Sequence, residues 1–250
     1  MRSPVVNQLV PLAWDSNFLG FGVARLSVQA ITAAALSGHL AIARQAGLRL
    51  LYLVADPTDD LSNASARQEG GWLVDRKVTF VMLVRPIAAQ EPTGHFIKPE
   101  TEWSARLESL ALQSGEYSRF RLDPNFEPSV FKSLYQQWLR NSLTHELARE
   151  VLVYQPLAAH EGGEIPEPLG LMTLGIKAGR ADIGLLAVDV AARGQRIGQQ
   201  LVEAAQQRIA TWGLPELQVV TQLDNDPACQ FYRRCGFTEA AVEHIYHIWL

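Results

Sequence analysis

Short apolar runs of strand length alternate along the chain with stretches in which apolar residues recur every three or four positions. Residues 21–28 (FGVARLSV) read as a strand, a helix follows from about Thr32 to Ala46 and is closed by Gly47, and the apolar run 48–54 reads as the next strand. A short helix near 60–69 stops at Gly70-Gly71 and leads into a β-branched run ending at Pro86. The stretch 87–95 (IAAQEPTGH) has no period and is rich in turn residues, which predicts a boundary between a smaller α/β domain over 1–92 and a second domain over 93–250.

The second domain opens with a short strand and a helix carrying Trp103, Leu107, Leu110 and Ala111 at helical spacing. An aperiodic loop with two arginines (SGEYSRFRLDPNFEPS) separates it from a long amphipathic helix with Phe131, Leu134, Tyr135, Trp138 and Leu139 on one side. Strands at 151–155, about 169–176 and 181–188 are joined through EGGE and KAGR, turns short enough for an antiparallel meander. A helix follows with Gly198, Val202, Ala205, Ile209 and Trp212 in alternating steps of four and three, and Gly213 and Pro215 end it. Strand 217–222 precedes a short helix capped at Asp226, with Pro227 in its first turn, and the chain closes on IYHIWL, a strand that completes its own sheet or pairs across a dimer.

A faint internal repeat links residues 47–72 with 213–237. Asn63 and Ala66 line up with Asn225 and Ala228 at a constant offset, whereas Gly71-Trp72 and Gly236-Phe237 match a few residues out of step. The first copy has neither an Arg-Gly turn before its helix nor a tyrosine in its short helix, so it reads as the scaffold without the site.

Composition narrows the function classes. A formal charge of −4 over 250 residues disfavours a nucleic-acid binder, which carries a dense basic face. No apolar stretch approaches the ~20 residues of a membrane helix and the N-terminus has no continuous apolar signal region, so a protein of the cytoplasm without a membrane partner is expected. Cys229 and Cys235 are spaced as neither a metal knuckle nor a redox pair, and the odd separation of His244 and His247 puts them on opposite faces of a strand, so no metal site is expected.

The chemistry concentrates in Arg193-Gly194-Gln195-Arg196-Ile197-Gly198, between a strand and a helix that begins near Ile197. The unpaired N–H groups of a helix start, at the positive end of its dipole, suit a phosphate; Gly194 and Gly198 let it approach the backbone, and Arg193 and Arg196 add charge. The spacing is neither that of a nucleoside triphosphate loop nor that of a dinucleotide fold. Arg196 stands where a small residue is expected; a helical or bridge conformation there would accommodate its side chain, whereas a positive φ would cost about 1–2 kcal/mol. Arg119 and Arg121 suit a diphosphate or are simply solvated charges, and Tyr117 or Phe126 suits stacking on a base or packs in the core.

The order of helix, three-strand meander, Arg-Gly turn, long helix, strand, Asn225, short helix with Tyr232, then Gly236-Phe237 is similar to the GNAT superfamily of acetyl-CoA-dependent N-acetyltransferases over about 95–250. Arg193-x-x-Arg196-x-Gly198 matches the ends of that family's pyrophosphate loop and departs at its middle glycine. PLAWDSNFLGF, SRFRLDPNF, YQQWLRNS and the segment from VVTQLDND to the C-terminus resemble more narrowly the bacterial TDP-fucosamine acetyltransferase group, over nearly the whole chain. The resemblance implies an α/β (α+β) GNAT fold: a mixed, largely antiparallel sheet flanked by helices, with a degenerate N-terminal domain. It implies acetyl-CoA as co-substrate, with Leu186, Ala187 and Val188 along the pantetheine arm, the turn 193–198 on the pyrophosphate, and Tyr232 donating a proton to the departing sulfur. Asn225 would bridge to the cofactor or only serve its turn, and a core tyrosine beside Phe231 is the plain alternative for Tyr232. The acceptor implied is a small-molecule amine on a dTDP-linked amino sugar, met by Arg119, Arg121 and Tyr117; a peptide or other amine, or a CoA-binding module without catalysis, are the alternatives. His145, Glu146 and Glu116 are the candidates for the base, and a homodimer is compatible with the closing strand.

Overall fold

A computed structural model describes residues 7–84, 95–157 and 166–250. In chain order the elements are β1 (Leu9–Pro11), α1 (Ala13–Leu19), β2 (Gly22–Ser27), α2 (Ala33–Gln45), β3 (Leu48–Ala55), α3 (Asp60–Gln68), β4 (Trp72–Leu83), β5 (His95–Pro99), α4 (Ala105–Ser114), α5 (Arg119–Leu122), α6 (Pro128–Leu143), β6 (Glu150–Pro156), β7 (Gly170–Lys177), β8 (Arg180–Val188), a single 3-10 turn (Val190–Ala192), α7 (Ile197–Thr211), β9 (Glu216–Gln222), α8 (Asp226–Arg234) and β10 (Thr238–Trp249). The fold is α/β. Its strand pairs are mixed, parallel between β2 and β3 and between β8 and β9, antiparallel between β1 and β2, β3 and β10, and through β5, β6, β7 and β8.

The chain divides into two compact units: Met1–Val78 with Gln222–Asp224 and Ala241–Leu250, and Thr79–Thr221 with Asn225–Ala240. The boundary expected between 92 and 93 falls in 85–94, outside the described residues, as does the EGGE turn at 161–164. The last ten residues pack with the first unit rather than with the segment that precedes them.

In the first unit the strand order is β1-β2-β3-β10-β4. β3 is buried on both faces from Leu50 to Ala55, as a central strand covered on each side must be. Thr32 caps α2 by accepting from the Ala35 N–H, and Leu36, Leu40 and Ala43 face the core with Leu26, Leu51, Leu53, Tyr246 and Ile248. The closing strand pairs with β3 of the same chain, from His244 opposite Ala55 to Trp249 opposite Leu50, and so completes its own sheet.

In the second unit the order is β10-β4-β9-β8-β7-β6-β5. Ala178 and Gly179 turn β7 into β8 with φ of 52° and 81°, the two left-handed residues a two-residue hairpin requires. α7 buries Ile197, Leu201, Val202, Ala205 and Ile209 at steps of three and four, and Gly213, at φ 70°, reverses the chain behind it. Two expectations shift by a residue or two. Trp103 precedes α4, whose N-cap is Ser104, and is exposed; the cap of α8 is Asn225, whose side chain accepts from the Ala228 N–H, leaving Asp226 as the first helical residue.

The repeat is real in the elements but not in the register its sequence suggested. Asp60 and Asp226 each open a nine-residue helix, and Trp72 and Thr238 each open a twelve-residue strand; both pairs are 166 residues apart. The left-handed glycines Gly47 and Gly213, and Gly70 and Gly236, keep the same spacing. Asn225 then corresponds to Asp59, and Tyr232 to Ala66. Asn63 is instead a buried residue in the body of α3, donating to the Asp56 and Asp59 carbonyls and accepting from the Tyr246 hydroxyl.

Candidate functional site

The turn from β8 into α7 is built stepwise. Asp189 caps the 3-10 turn through the Ala191 N–H at 2.9 Å, and that hydrogen bond, with the guanidinium of Arg106 at 2.8 Å, holds its carboxyl below the usual carboxylate range. Ala192 is buried and anchors the turn, while Arg193, Gly194, Gln195 and Arg196 are exposed. Gly194 has φ 83°, and Arg196, the residue before the helix, has φ 61° and ψ 11°. Of the two conformations open to Arg196 the chain takes the costlier: it enters α7 through a left-handed residue, at about 1–2 kcal/mol for an L side chain. None of the backbone N–H groups from Gly194 to Gly198 donates to another protein group among the described residues. A helix start with open N–H groups is an anion-binding arrangement.

Gly198 also serves packing. It is buried, and a Cβ there would stand 3.0 Å from the Phe231 ring, so the close passage of α8 is a further reason for a glycine beside the one expected. The Arg193 Nε donates to the Val188 carbonyl at 3.3 Å, so Arg193 braces the end of β8; the Arg196 side chain has no partner among the described residues.

β8 itself is opened from one side. Its antiparallel pairing with β7 runs to Val188 opposite Gly170, but its parallel pairing with β9 covers only Ala181, Asp182 and Ile183, opposite Leu217, Gln218 and Val219. From Gly184 to Val188 the edge toward β9 has no ladder among the described residues, and it includes Leu186, Ala187 and Val188. A bulge lies at this point: the β7–β8 register shifts between Met172 and Leu174, and the Thr173 hydroxyl takes the Leu185 N–H at 2.8 Å. Gly184 and Leu185 of β8 thus oppose Thr173 alone, and the one extra residue bends the strand.

Tyr232 sits on α8, buried among Phe231, Phe80 and Phe237 with ring centroids 5.2, 5.8 and 5.5 Å away. Its hydroxyl has no protein hydrogen-bond partner among the described residues. Burial, with the neighbouring Cys235 and Cys229, pushes the phenol well above its ordinary value, so it is a neutral donor throughout the physiological range.

A cleft of about 460 Å³ in the same unit is lined by one face of α4 (Glu108, Ser109, Leu112), by Glu116, by Arg121 of α5, by Phe131 and Lys132 of α6, and by Val190 and Arg193 of the turn. Arg121 and Arg193 thus meet in one cleft. Arg119 and Tyr117 do not line it; Arg119 lies over the Phe120 ring at 5.0 Å. The segment expected as a loop is the helix α5, started by the Ser118 side chain accepting from the Phe120 N–H, and it is too short to leave a periodic signal. Of the candidate bases, Glu116 lines the cleft and His145 and Glu146 do not. Glu108, held by the Gln136 amide at 2.7 Å, and Lys132 escaped notice because each sits in an otherwise ordinary amphipathic helix; the steps of three and four from Ala105 to Gln113 that put one face of α4 on the cleft were the available signal. Among the described residues no three His, Cys, Asp or Glu side chains gather as a metal site, and no helix is long and apolar enough to cross a membrane.

Residues 116–237 match the model of the acetyltransferase (GNAT) family. The chain is 26% identical over 198 residues to the spore coat polysaccharide biosynthesis protein SpsD of Bacillus subtilis, a match covering 77% of this chain and 64% of that protein. It is 34% identical over 74 residues to the mycothiol acetyltransferase of Clavibacter michiganensis, covering 30% of this chain and 24% of that one. It therefore spans less than two thirds of the length of these relatives. A GCN5-related N-acetyltransferase from Kribbella flavida has the same fold, with a TM-score of 0.54 at 16% identity over 92% of this chain and 81% of its own.

Proposed function

Residues 116–237 form a domain of the acetyltransferase (GNAT) family, and from that premise we propose that the protein transfers the acetyl group of acetyl-CoA to the amine of a nucleotide-linked amino sugar. The observation that carries the reading is the coincidence of an open β8 edge with five unpartnered N–H groups at the next helix start. The residues fit the co-substrate. A pantetheine arm carries amides that pair with a free strand edge as an added strand does, and the diphosphate suits the N–H groups of Gly194 to Gly198 with Arg196 beside them.

For the transfer, the amine nitrogen must reach the thioester carbon as a neutral nucleophile, the carbon–sulfur bond must break, and the thiolate must take a proton. Tyr232 supplies that proton. Its raised pKa keeps it protonated until charge develops on sulfur, and the dry site raises the basicity of the thiolate in the same sense. Glu116 takes the proton the amine loses, directly or through water.

Arg121, Lys132 and Arg193 give the cleft three cations for a diphosphate, and Glu108 and Glu116 give it two carboxylates for an ammonium group. An acceptor with an anionic and a cationic end matches both. The likeness to SpsD supports a sugar rather than a peptide. The experiment is to incubate the protein with acetyl-CoA and a panel of dTDP- and UDP-linked amino sugars, peptides and small amines, and to follow free thiol. Thiol release with a nucleotide amino sugar is the expected result, and release with peptides but with no sugar sinks the sugar reading.

A further inference from the structure

Each unit carries a nine-residue helix behind the second strand of its parallel pair, and in the first unit that helix closes the turn its counterpart leaves open. Asp59, the N-cap of α3, accepts from the Ser62 N–H with Oδ1 at 3.0 Å and from the Ala30 N–H with Oδ2 at 2.7 Å. Ala30 is a left-handed residue, φ 49°, in the turn before α2, as Arg196 is in the turn before α7, although α2 begins three residues after Ala30 and α7 directly after Arg196. Along the same face of α3 the Ser62 hydroxyl accepts from the Ile31 N–H at 3.0 Å, and the Ser65 hydroxyl donates to the Ile31 carbonyl at 2.9 Å. The strands beneath are closed too: β2 and β3 pair from Val23 opposite Leu50 to Ser27 opposite Val54, and the Val28 N–H continues the ladder to the Val54 carbonyl.

At the spacing of the repeat, Asp59, Ser62 and Ser65 are replaced in α8 by Asn225, Ala228 and Phe231. Asn225 keeps the capping bond, Oδ1 to the Ala228 N–H at 3.2 Å. Its other branch atom is then Nδ2, which can only donate. Alanine offers the turn nothing, and Phe231 meets Gly198 by packing alone. The two units share a helix and a left-handed turn, and they differ in whether the second branch atom of the helix cap accepts a hydrogen bond, as Asp59 Oδ2 does, or donates, as Asn225 Nδ2 does.

We propose that Asn225 is a positioning residue whose amide keeps the N–H groups of Gly194 to Gly198 available to a ligand, and that a carboxylate at this position would bond them itself, as Asp59 bonds Ala30. The inference rests on the reading of this turn as the acetyl-CoA diphosphate site. It assigns to one atom of a helix cap the part that Asp59 plays in the difference between an open and a self-liganded unit, beside the parts of Ser62 and Ser65. Asparagine and aspartate cap helices about equally well, so stability does not decide between them here.

The test uses the full chain with Asn225→Asp, Asn225→Glu and Asp59→Asn, reading amide hydrogen exchange without ligand and coenzyme A binding by calorimetry. Asn225→Asp is expected to slow exchange at least tenfold at one or more amides between Gly194 and Gly198, to keep the melting temperature, and to weaken coenzyme A at least tenfold. Asn225→Glu carries the same charge on a longer arm that does not cap; it is expected to weaken coenzyme A less and to leave the amides unprotected. Asp59→Asn is expected to speed exchange at Ala30 and leave 194–198 unchanged. Exchange at 194–198 in Asn225→Asp equal to that of the parent overturns the proposal, as does equal weakening by Asp and Glu without protection. Should the parent bind no coenzyme A while Asn225→Asp still protects these amides, the ligand assignment fails and the role of Asn225 stands.

Discussion

Tyr232 combines two properties that a proton donor to a thiolate needs: a hydroxyl with no competing partner among the described residues, and a phenol whose pKa burial has raised. Replacing it by phenylalanine keeps the ring among Phe80, Phe231 and Phe237 and removes only the hydroxyl that donates the proton. Tyr232→Phe is therefore expected to lower kcat about 100-fold, a typical share for a general acid, with KM for acetyl-CoA within about twofold and the melting temperature unchanged. The direction of the shift also fixes the alkaline limb. A donor raised above the ordinary phenol value of ~10 stays protonated through the alkaline range, so kcat should not fall through loss of this proton below about pH 10. A tyrosine-dependent fall near pH 8 in a pH–rate profile contradicts the assignment. The place of Tyr232 in the short helix after Asn225 was readable in the sequence, but its environment was not, because Phe80 is distant in sequence. For Arg196 the residue type left right-handed and left-handed backbone both open, and only the path of the chain into α7 decides for the left-handed one.

At the scale of elements, the periods of apolar residues predicted the helices and strands well, because each element buries one face or both. Relations between elements were less legible. The gap between β8 and β9 depends on where a parallel ladder stops, and neither strand carries that in its own pattern. The α8 cap was assigned to Asp226 rather than Asn225 because both residue types cap and they are adjacent; only the bond to the Ala228 N–H decides. Two predictions belong here. Gly198→Ala places a methyl against the Phe231 ring at the crossing of α7 and α8; it should cost about 1–3 kcal/mol as overpacking does, seen as a lower melting temperature, and weaken acetyl-CoA through the displaced turn. Asp59 ties α3 to the turn before α2. Desolvation opposes its charge, yet the hydrogen bonds from Ser62 and Ala30 outweigh it and lower its pKa. A lowered carboxyl contributes stability above its unfolded value of ~3.9 and loses it as pH falls through the folded one. Thermal melts from pH 7 down to pH 2.5 should show a smaller acid loss for Asp59→Asn than for the parent; parallel curves contradict the linkage.

For the whole molecule, the recurrence at a spacing of 166 residues, from Gly47 and Gly213 to the strands opened by Trp72 and Thr238, is the main result that the sequence disguised. The match of Asn63 to Asn225 set a false register, since one is a buried core residue and the other a helix cap. In the true register the copies diverge where function would: the β2–β3 ladder is continuous and its turn is bonded by α3, whereas the β8–β9 ladder opens and its turn is bare. One chain should therefore offer one site. The most direct measurement is calorimetric titration of the full chain with acetyl-CoA: the account predicts saturable binding of one molecule per chain, unchanged in number by Asp59→Asn, and either an absence of binding or two equal sites per chain would contradict it.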